Sequence, residues 1–354
     1  MRRDVGGQVR GADRSRVHAC AHPAAPCRAG PHARRGDPGE GLQQEAQAGL
    51  DQHARAEGRG RGQAVSRLKD TLARGEFVVT GEVAPPVGTD VAAMRRSAET
   101  LGPHCHALNV TDNQAATLHL ASLGACRLVL EWGFEPVFQQ TCRDRNRLAL
   151  QSDLLAASAL GITNVLLLTG DDPRWGDHPE AKAVFDIDST QLVRAAAGLN
   201  AGRDMHGDEL TGATDLFIGA AVFPEAEPWD IQLARAVQKV DAGVEFFQTQ
   251  AIFDTDALER AVAALRPRGV KVIAGVILLR SVRTIDFINE RVAGLMVPEA
   301  VRERVAGAAD PKEEAVALAI EQVRAIRGIA DGVHIMPLGL DGVVPRILAE
   351  AGLT

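Results

Sequence analysis

The sequence predicts an α/β fold of the (β/α)8 (TIM) barrel type, on three observations. From Val65 onward, eight short apolar runs alternate with stretches of helical period. Strands alternating with helices pair in parallel through right-handed crossovers, and eight such units close into a barrel. The length of 354 residues accommodates the roughly 250 that such a barrel needs. No GxGxxG follows the first strand, which speaks against the rival arrangement, a doubly wound open sheet.

The first strand is expected over 76–82 (EFVVTGE). Phe77, Val78 and Val79 head into a core there, and Pro85 and Pro86 stop the strand soon after. Strands follow at 107–112, 135–141, 164–171, 215–223, 243–250, 271–279 and 331–338. Helical patterns separate them at 90–101, 115–126, 145–160, 189–201, 229–241, 254–266, 281–293 and 311–328, with a last one at 343–351. Residues 1–64 read differently: they are rich in Arg, Gly, Ala, His and Gln, without periodicity and with hardly a branched aliphatic residue. Such a segment buries too little apolar surface to offset its ordering entropy, and it lacks the apolar h-region of a signal peptide. The expected organisation is a disordered tail over 1–64, or a start codon assigned too early, followed by one barrel domain over 65–354. Cys20, His22, Cys27 and His32 match no zinc-finger spacing, so no metal is expected there.

Hydrophobic residues make up 45% of the chain, charged residues 24%, and the net charge is -7. Without a basic stripe interleaved with aromatics, nucleic acid is not an expected partner. No apolar run approaches the roughly 20 residues of a membrane helix. The five cysteines are scattered and form no CxxC pair, which fits a reducing, cytoplasmic setting.

A barrel of this type carries its active site at the C-terminal ends of its strands. Those ends hold Glu82; Thr111, Asp112 and Asn113; Gln139, Gln140 and Thr141; Gly170, Asp171 and Asp172; Phe223, Pro224 and Glu225; and Gln248 and Gln250. Glu135 and Lys271 fall at the opposite, structural end. Glu82 and Asp171 are expected to face inward from opposite sides of the mouth. A carboxylic acid held among apolar residues keeps its proton more readily and can donate it near neutral pH. The amides Asn113, Gln139, Gln140, Gln248 and Gln250 both donate and accept, which suits a flat heterocycle of the pterin or flavin kind. His104, His106, His119, His178, His206 and His334 match no nucleophile-elbow motif. His104 and His106 fall at the barrel's bottom, so no metal is expected there either.

Seven motifs recur in one order: GEVAPP at 81–86, NVTDNQ at 109–114, QQTCRDRNRLALQSDLL at 139–155, LLLTGDDP at 166–173, GDHPEAKAVFDIDSTQLV at 176–193, FPEAEP at 223–228 and QKVDAGVEFFQTQAIFD at 238–254. Through them the body from about Phe77 resembles the methylenetetrahydrofolate reductase family, flavoprotein barrels that reduce the methylene group of folate to methyl. The TCRDRNR and GDHPEAK segments look most like the branch found in acetogens and their relatives. The resemblance implies that Glu82 is the general acid and that Asp171 stands near flavin and pterin. It also implies flavin contacts for Thr111, Gln139, Thr141, Thr169, Gly170 and Phe223. Lys239 would approach the flavin's phosphate side, and Gln250 would hydrogen-bond folate. Two positions depart from the better-known bacterial branch. Thr169 stands where that branch has an arginine on the FAD diphosphate, and Gln139 stands where it has a histidine. The resemblance implies FAD as the cofactor, and the missing cation at Thr169 favours FMN or a flavin-free variant as the alternatives. NAD(P)H is the implied electron donor, directly or through an electron-delivering partner subunit, and a homo-oligomer is expected. Two other readings remain: a folate-dependent methyltransferase barrel serving a corrinoid protein, and a non-catalytic subunit of a one-carbon complex.

Overall fold

The computed structural model describes residues 66–353, apart from Ala293. The expected tail, and with it Cys20, His22, Cys27 and His32, lies outside the described residues. Eight strands, β1 (Val78–Val83), β2 (Ala107–Val110), β3 (Pro136–Thr141), β4 (Asn164–Leu168), β5 (Phe217–Val222), β6 (Phe246–Ala251), β7 (Lys271–Ile277) and β8 (Gly332–Met336), close into a barrel in chain order. Every pairing is parallel, and β8 returns to β1 with Thr80 opposite His334. The chain thus folds as the (β/α)8 barrel that its alternation predicts. Among the described residues no helix is long and apolar enough to cross a membrane.

Side chains alternate between the two faces of each strand, and two apolar clusters divide along that alternation. Val79, Val83, Leu108, Val110, Phe138, Val165 and Leu167 pack outward beneath the helices. Val78, Ala107, Val137, Leu166, Phe217, Phe246 and Ile273 fill the lower barrel, together with Leu68 and Leu72. Those two leucines belong to α1 (Arg67–Ala73), a short helix that the periodicity did not announce. Ser66 caps α1 by accepting from the Lys69 amide at 3.0 Å, and its hydroxyl lies 2.7 Å from Asn164 Oδ1. Glu135 accepts from the Arg67 amide at 2.7 Å and from Asn164 Nδ2 at 2.6 Å. The lower end is therefore a stopper, hydrophobic inside and hydrogen-bonded at its edge.

The outer ring is α2 (Ala92–Leu101), α3 (Ser122–Glu131), α4 (Arg147–Ala159), α5 (Ser189–Asn200), α6 (Trp229–Ala242), α7 (Thr255–Leu265), α8 (Val282–Arg291), α9 (Glu299–Gly307), α10 (Pro311–Arg327) and α11 (Val344–Glu350). Three differences from the sequence reading matter for the site. The helix expected over 115–126 begins only at Ser122, because Asn113, Ala115 and Ala116 adopt φ of 46°, 54° and 56° and turn the chain back. That turn meets the loop after β4: a Cβ on Gly176 would lie 1.9 Å from Ala116 O, so only glycine allows the contact. Next, β4 ends at Leu168 rather than at the expected 171, and Gly170, at φ 92°, bends the chain out of the wall. Lastly, α9 is an additional helix between β7 and β8, preceded by Pro298.

Candidate active site

Glu82 projects from the C-terminal end of β1 and is 15% exposed. Its carboxylate Oε2 stands 3.8 Å from Nε2 of His334 on β8, and that imidazole is fully buried. The other ring nitrogen, Nδ1, is 3.0 Å from the Thr80 hydroxyl. On the next strand, Asn109 lies opposite Glu82 in register. Its Nδ2 donates to Gln248 Oε1 on β6 at 2.6 Å. A polar layer thus crosses the barrel directly above the apolar stopper. Several of its buried atoms have no protein partner: Asn109 Oδ1, Thr111 Oγ1 and His334 Nε2. Buried polar atoms are normally satisfied, so these orphans leave bonding capacity open that water or a polar ligand can fill.

Gln250 reaches its position through an irregularity in β6. The β6–β7 register shifts between Gln248 and Ala251, and such a bulge re-aims a side chain. The shift depends on Gly275, where a Cβ would lie 2.6 Å from Gln250 O. Gln140, by contrast, turns outward: its Nε2 donates to Leu150 O in α4 at 3.1 Å. It supports the helix and does not face the mouth with Gln139.

The loops after β2 and β3 are locked by one carboxylate. Asp112 Oδ2 accepts from the Thr141 amide and hydroxyl, both at 2.9 Å, and Arg145 binds both Asp112 oxygens at 2.9 and 3.2 Å. Thr141 is therefore occupied with its neighbour. Arg143 pairs with Asp144 at 2.7 Å and Arg174 with Asp172 at 2.7 Å. Arg143, Arg145 and Arg174 are thus each paired with an aspartate.

Asp171 lies on the loop beyond β4, exposed, and not on the inner wall as expected. The same loop is anchored by Asp177, which accepts from the Leu118 amide at 3.1 Å, and by the Arg291 guanidinium 5.3 Å from the Trp175 ring. Behind Thr169 opens a cavity of about 360 Å³ lined by Thr169, Ser189, Phe223, Arg235 and Lys239 among others. The first turn of α5 forms part of its wall, set by a capping box between Asp188 and Gln191. Thr169 donates to Ser189 Oγ at 3.2 Å. Lys239 Nζ donates to Ala221 O at 2.8 Å. Burial, the largest influence, pulls its ammonium down to about 8, against the opposing attraction of Asp188. Phe223 is half-buried and packs against the backbone of Gly294, where a Cβ would come within 2.8 Å of its ring.

A half-buried amine, two hydroxyls and the start of a helix suit a phosphate. The orphaned Thr111 hydroxyl suits a heterocycle at the mouth. The residues present therefore fit a flavin nucleotide. Among the described residues no group of three or more His, Cys, Asp or Glu is placed to hold a metal ion. His334 and Asn109 are site residues that motif reading passed over: one belongs to no catalytic motif, and the other sits one alternation below the strand end. Their common signal is a polar side chain at an inward position of a strand that is otherwise apolar.

The chain resembles methylenetetrahydrofolate reductase 2 of Schizosaccharomyces pombe, with 26% identity over 240 residues that cover 60% of this chain and 35% of that protein. It also resembles the probable methylenetetrahydrofolate reductase (NADPH) of Caenorhabditis elegans, with 24% identity covering 62% of this chain and 33% of that one. The chain thus spans about a third of the length of the curated relatives it matches. The methylenetetrahydrofolate reductase family model matches residues 67–352, from the first helix through the last. With that match over most of its length and a closed eight-stranded barrel beneath it, the chain belongs to the methylenetetrahydrofolate reductase family.

Proposed function

We propose that this barrel reduces 5,10-methylenetetrahydrofolate to 5-methyltetrahydrofolate using a bound flavin. The observation that carries this reading is Glu82, an acid set into the inner wall at the mouth beside unsatisfied polar atoms. Ring opening needs a proton on a weakly basic bridging nitrogen of the folate. Glu82 donates it, and the five-membered ring opens to an iminium whose methylene carbon is electrophilic. The flavin, when bound, supplies the hydride for that carbon. Gln250 holds the pterin by its amide, and Asp171, from its loop, orients the same ring. Thr111, Gln139, Thr169 and Gly170 border the cofactor, and Phe223 covers one side. Lys239 holds the phosphate end. NAD(P)H provides the electrons, directly or through a partner subunit. The motifs of residues 139–155 and 176–193 favour the acetogen-like branch, and we place the protein in the cytoplasm as a homo-oligomer.

Heating the purified protein and separating the released chromophore by chromatography tests the cofactor. FAD is expected. FMN would mean that Lys239 serves a single phosphate. Protein that stays colourless after reconstitution would remove the hydride route and restore the methyltransferase and non-catalytic readings.

The amine of Lys239 gives a pH test. Its folded value, about 8, lies below the ordinary lysine value, so it loses its charge as pH rises through 8. Flavin affinity, followed by quenching of flavin fluorescence, is therefore expected to weaken between pH 7 and 9. Lys239→Met should bind more weakly at pH 7 and lose that dependence. Equal pH dependence in the variant would show that Lys239 does not face the phosphate. The sign for stability is separate. Unfolded lysine still binds its proton between about 8 and 10.4, so this group makes the fold less stable below 8 and relieves that penalty as pH rises.

A further inference from the structure

We propose that His334 is the positioning residue for Glu82: the imidazole Nε2–H donates to Glu82 Oε2, the transferable proton stays on the other carboxyl oxygen, and Thr80 fixes the ring by donating to Nδ1. This rests on Glu82 being the acid that protonates folate. Three observations support it, and none depends on the family motifs.

The first is register. Thr80 and His334 are direct partners on β1 and β8, and Glu82 lies two residues farther along the same face of β1. One short segment of one strand therefore presents both a hydroxyl and a carboxyl to a single ring. The second is hydrogen-bond accounting. The ring is fully buried; Nδ1 has the Thr80 hydroxyl at 3.0 Å, whereas Nε2 has no hydrogen-bond partner. Leaving a buried polar atom unmade costs about 1–3 kcal/mol. Glu82 Oε2 stands 3.8 Å from that atom. This is too long for a hydrogen bond but within reach of a small side-chain rotation. Catalytic hydrogen bonds are often long at rest and tighten with substrate in place.

The third is the surroundings. Among the described residues, the charged group within 4 Å of His334 is Glu82. On its other side β7 offers Gly275, in register with His334. Below lies the apolar stopper of Val78, Phe217, Phe246, Leu68 and Leu72. In this arrangement the Thr80 hydroxyl donates to Nδ1, and the Nε2–H faces Glu82 Oε2. The carboxyl group is then held through Oε2 at one orientation, with its proton on the other oxygen. When the folate nitrogen approaches, the O–H bond breaks, its electron pair remains on the carboxylate, and the new N–H bond forms on folate. The imidazole gains and loses nothing. Its contribution is geometric.

The test measures the two half-reactions separately in the flavin-loaded enzyme. His334→Leu is expected to slow folate turnover at saturating folate by about 10²-fold, the typical cost of misplacing a catalytic group by about 1 Å. KM and the rate of flavin reduction should stay as in the parent. His334→Gln, whose amide can reach both Thr80 and Glu82, should recover most of the rate. Thr80→Val, which removes the hydroxyl with little change of shape, should follow His334→Leu and serves if the buried leucine variant fails to fold. The double variant Glu82→Gln with His334→Leu should be no slower than Glu82→Gln alone, since the two residues act as one unit. Parent-like folate rates in His334→Leu or, where that variant does not fold, in Thr80→Val would overturn the proposal. Losses that multiply in the double variant would overturn it equally. If Glu82→Gln itself keeps its folate rate, the acid reading fails instead, and the two failures are distinguishable.

Discussion

Glu82→Gln is expected to slow reduction of methylenetetrahydrofolate by roughly 10²–10⁴-fold, the usual contribution of a positioned acid. The amide keeps the shape and the hydrogen-bonding reach of the acid but has no acidic proton to give. It also retains the contact with the neighbourhood of His334, so the barrel wall is not disturbed. Flavin content and the rate at which NAD(P)H reduces the flavin should therefore match the parent. Stopped-flow measurement of the two half-reactions separates these effects, because one needs the proton and the other does not. A variant with an intact folate step would reduce Glu82 to a partner of its strand neighbours. A variant that loses both steps together would point to a collapsed mouth rather than to missing acid.

Truncation from the N-terminus is expected to be harmless through residue 64 and ruinous once it reaches Ala73. Leu68 and Leu72 are 0% and 1% exposed, and they close the lower barrel beside Phe217 and Phe246. Removing one buried leucine side chain typically costs 2–5 kcal/mol, against a whole-domain stability of about 5–15 kcal/mol. Loss of α1 also strips Glu135 and Asn164 of the bonds they make with Ser66 and Arg67. Leu68→Ala is the milder form of the same experiment, and it should lower the denaturation midpoint without changing the cofactor. The chain lacking residues 1–64 should melt with the parent. Parent-like melting of the chain lacking residues 1–73 would show that the stopper contributes little.

The wall of the barrel was legible because its signal is local. β3 reads PVFQQT and β7 reads KVIAGVI, short apolar runs bounded by turns, and each helix between strands keeps its own 3.6-residue period. Glu82 was legible for the same reason, an acid at the end of one such run with two prolines behind it. Where order along the chain suffices, as with β1 through β8, the sequence by itself determined the architecture and which residues reach the C-terminal rim. The late start of α3 was not readable, because residues 115–126 keep a helical pattern and yield to backbone contact with the loop after β4 at Gly176. The facing of Gln140 was not readable either, since strand alternation sends neighbouring glutamines to opposite sides and only closure says which side is inside. Asp171 left the wall because Gly170 turns the chain two residues past Leu168. The pairing of Glu82 with His334 joins positions 252 residues apart (334 − 82). No local pattern encodes such a contact. It exists because the last strand hydrogen-bonds to the first, which places Thr80 and Glu82 beside a buried imidazole, and only the closed barrel decides that.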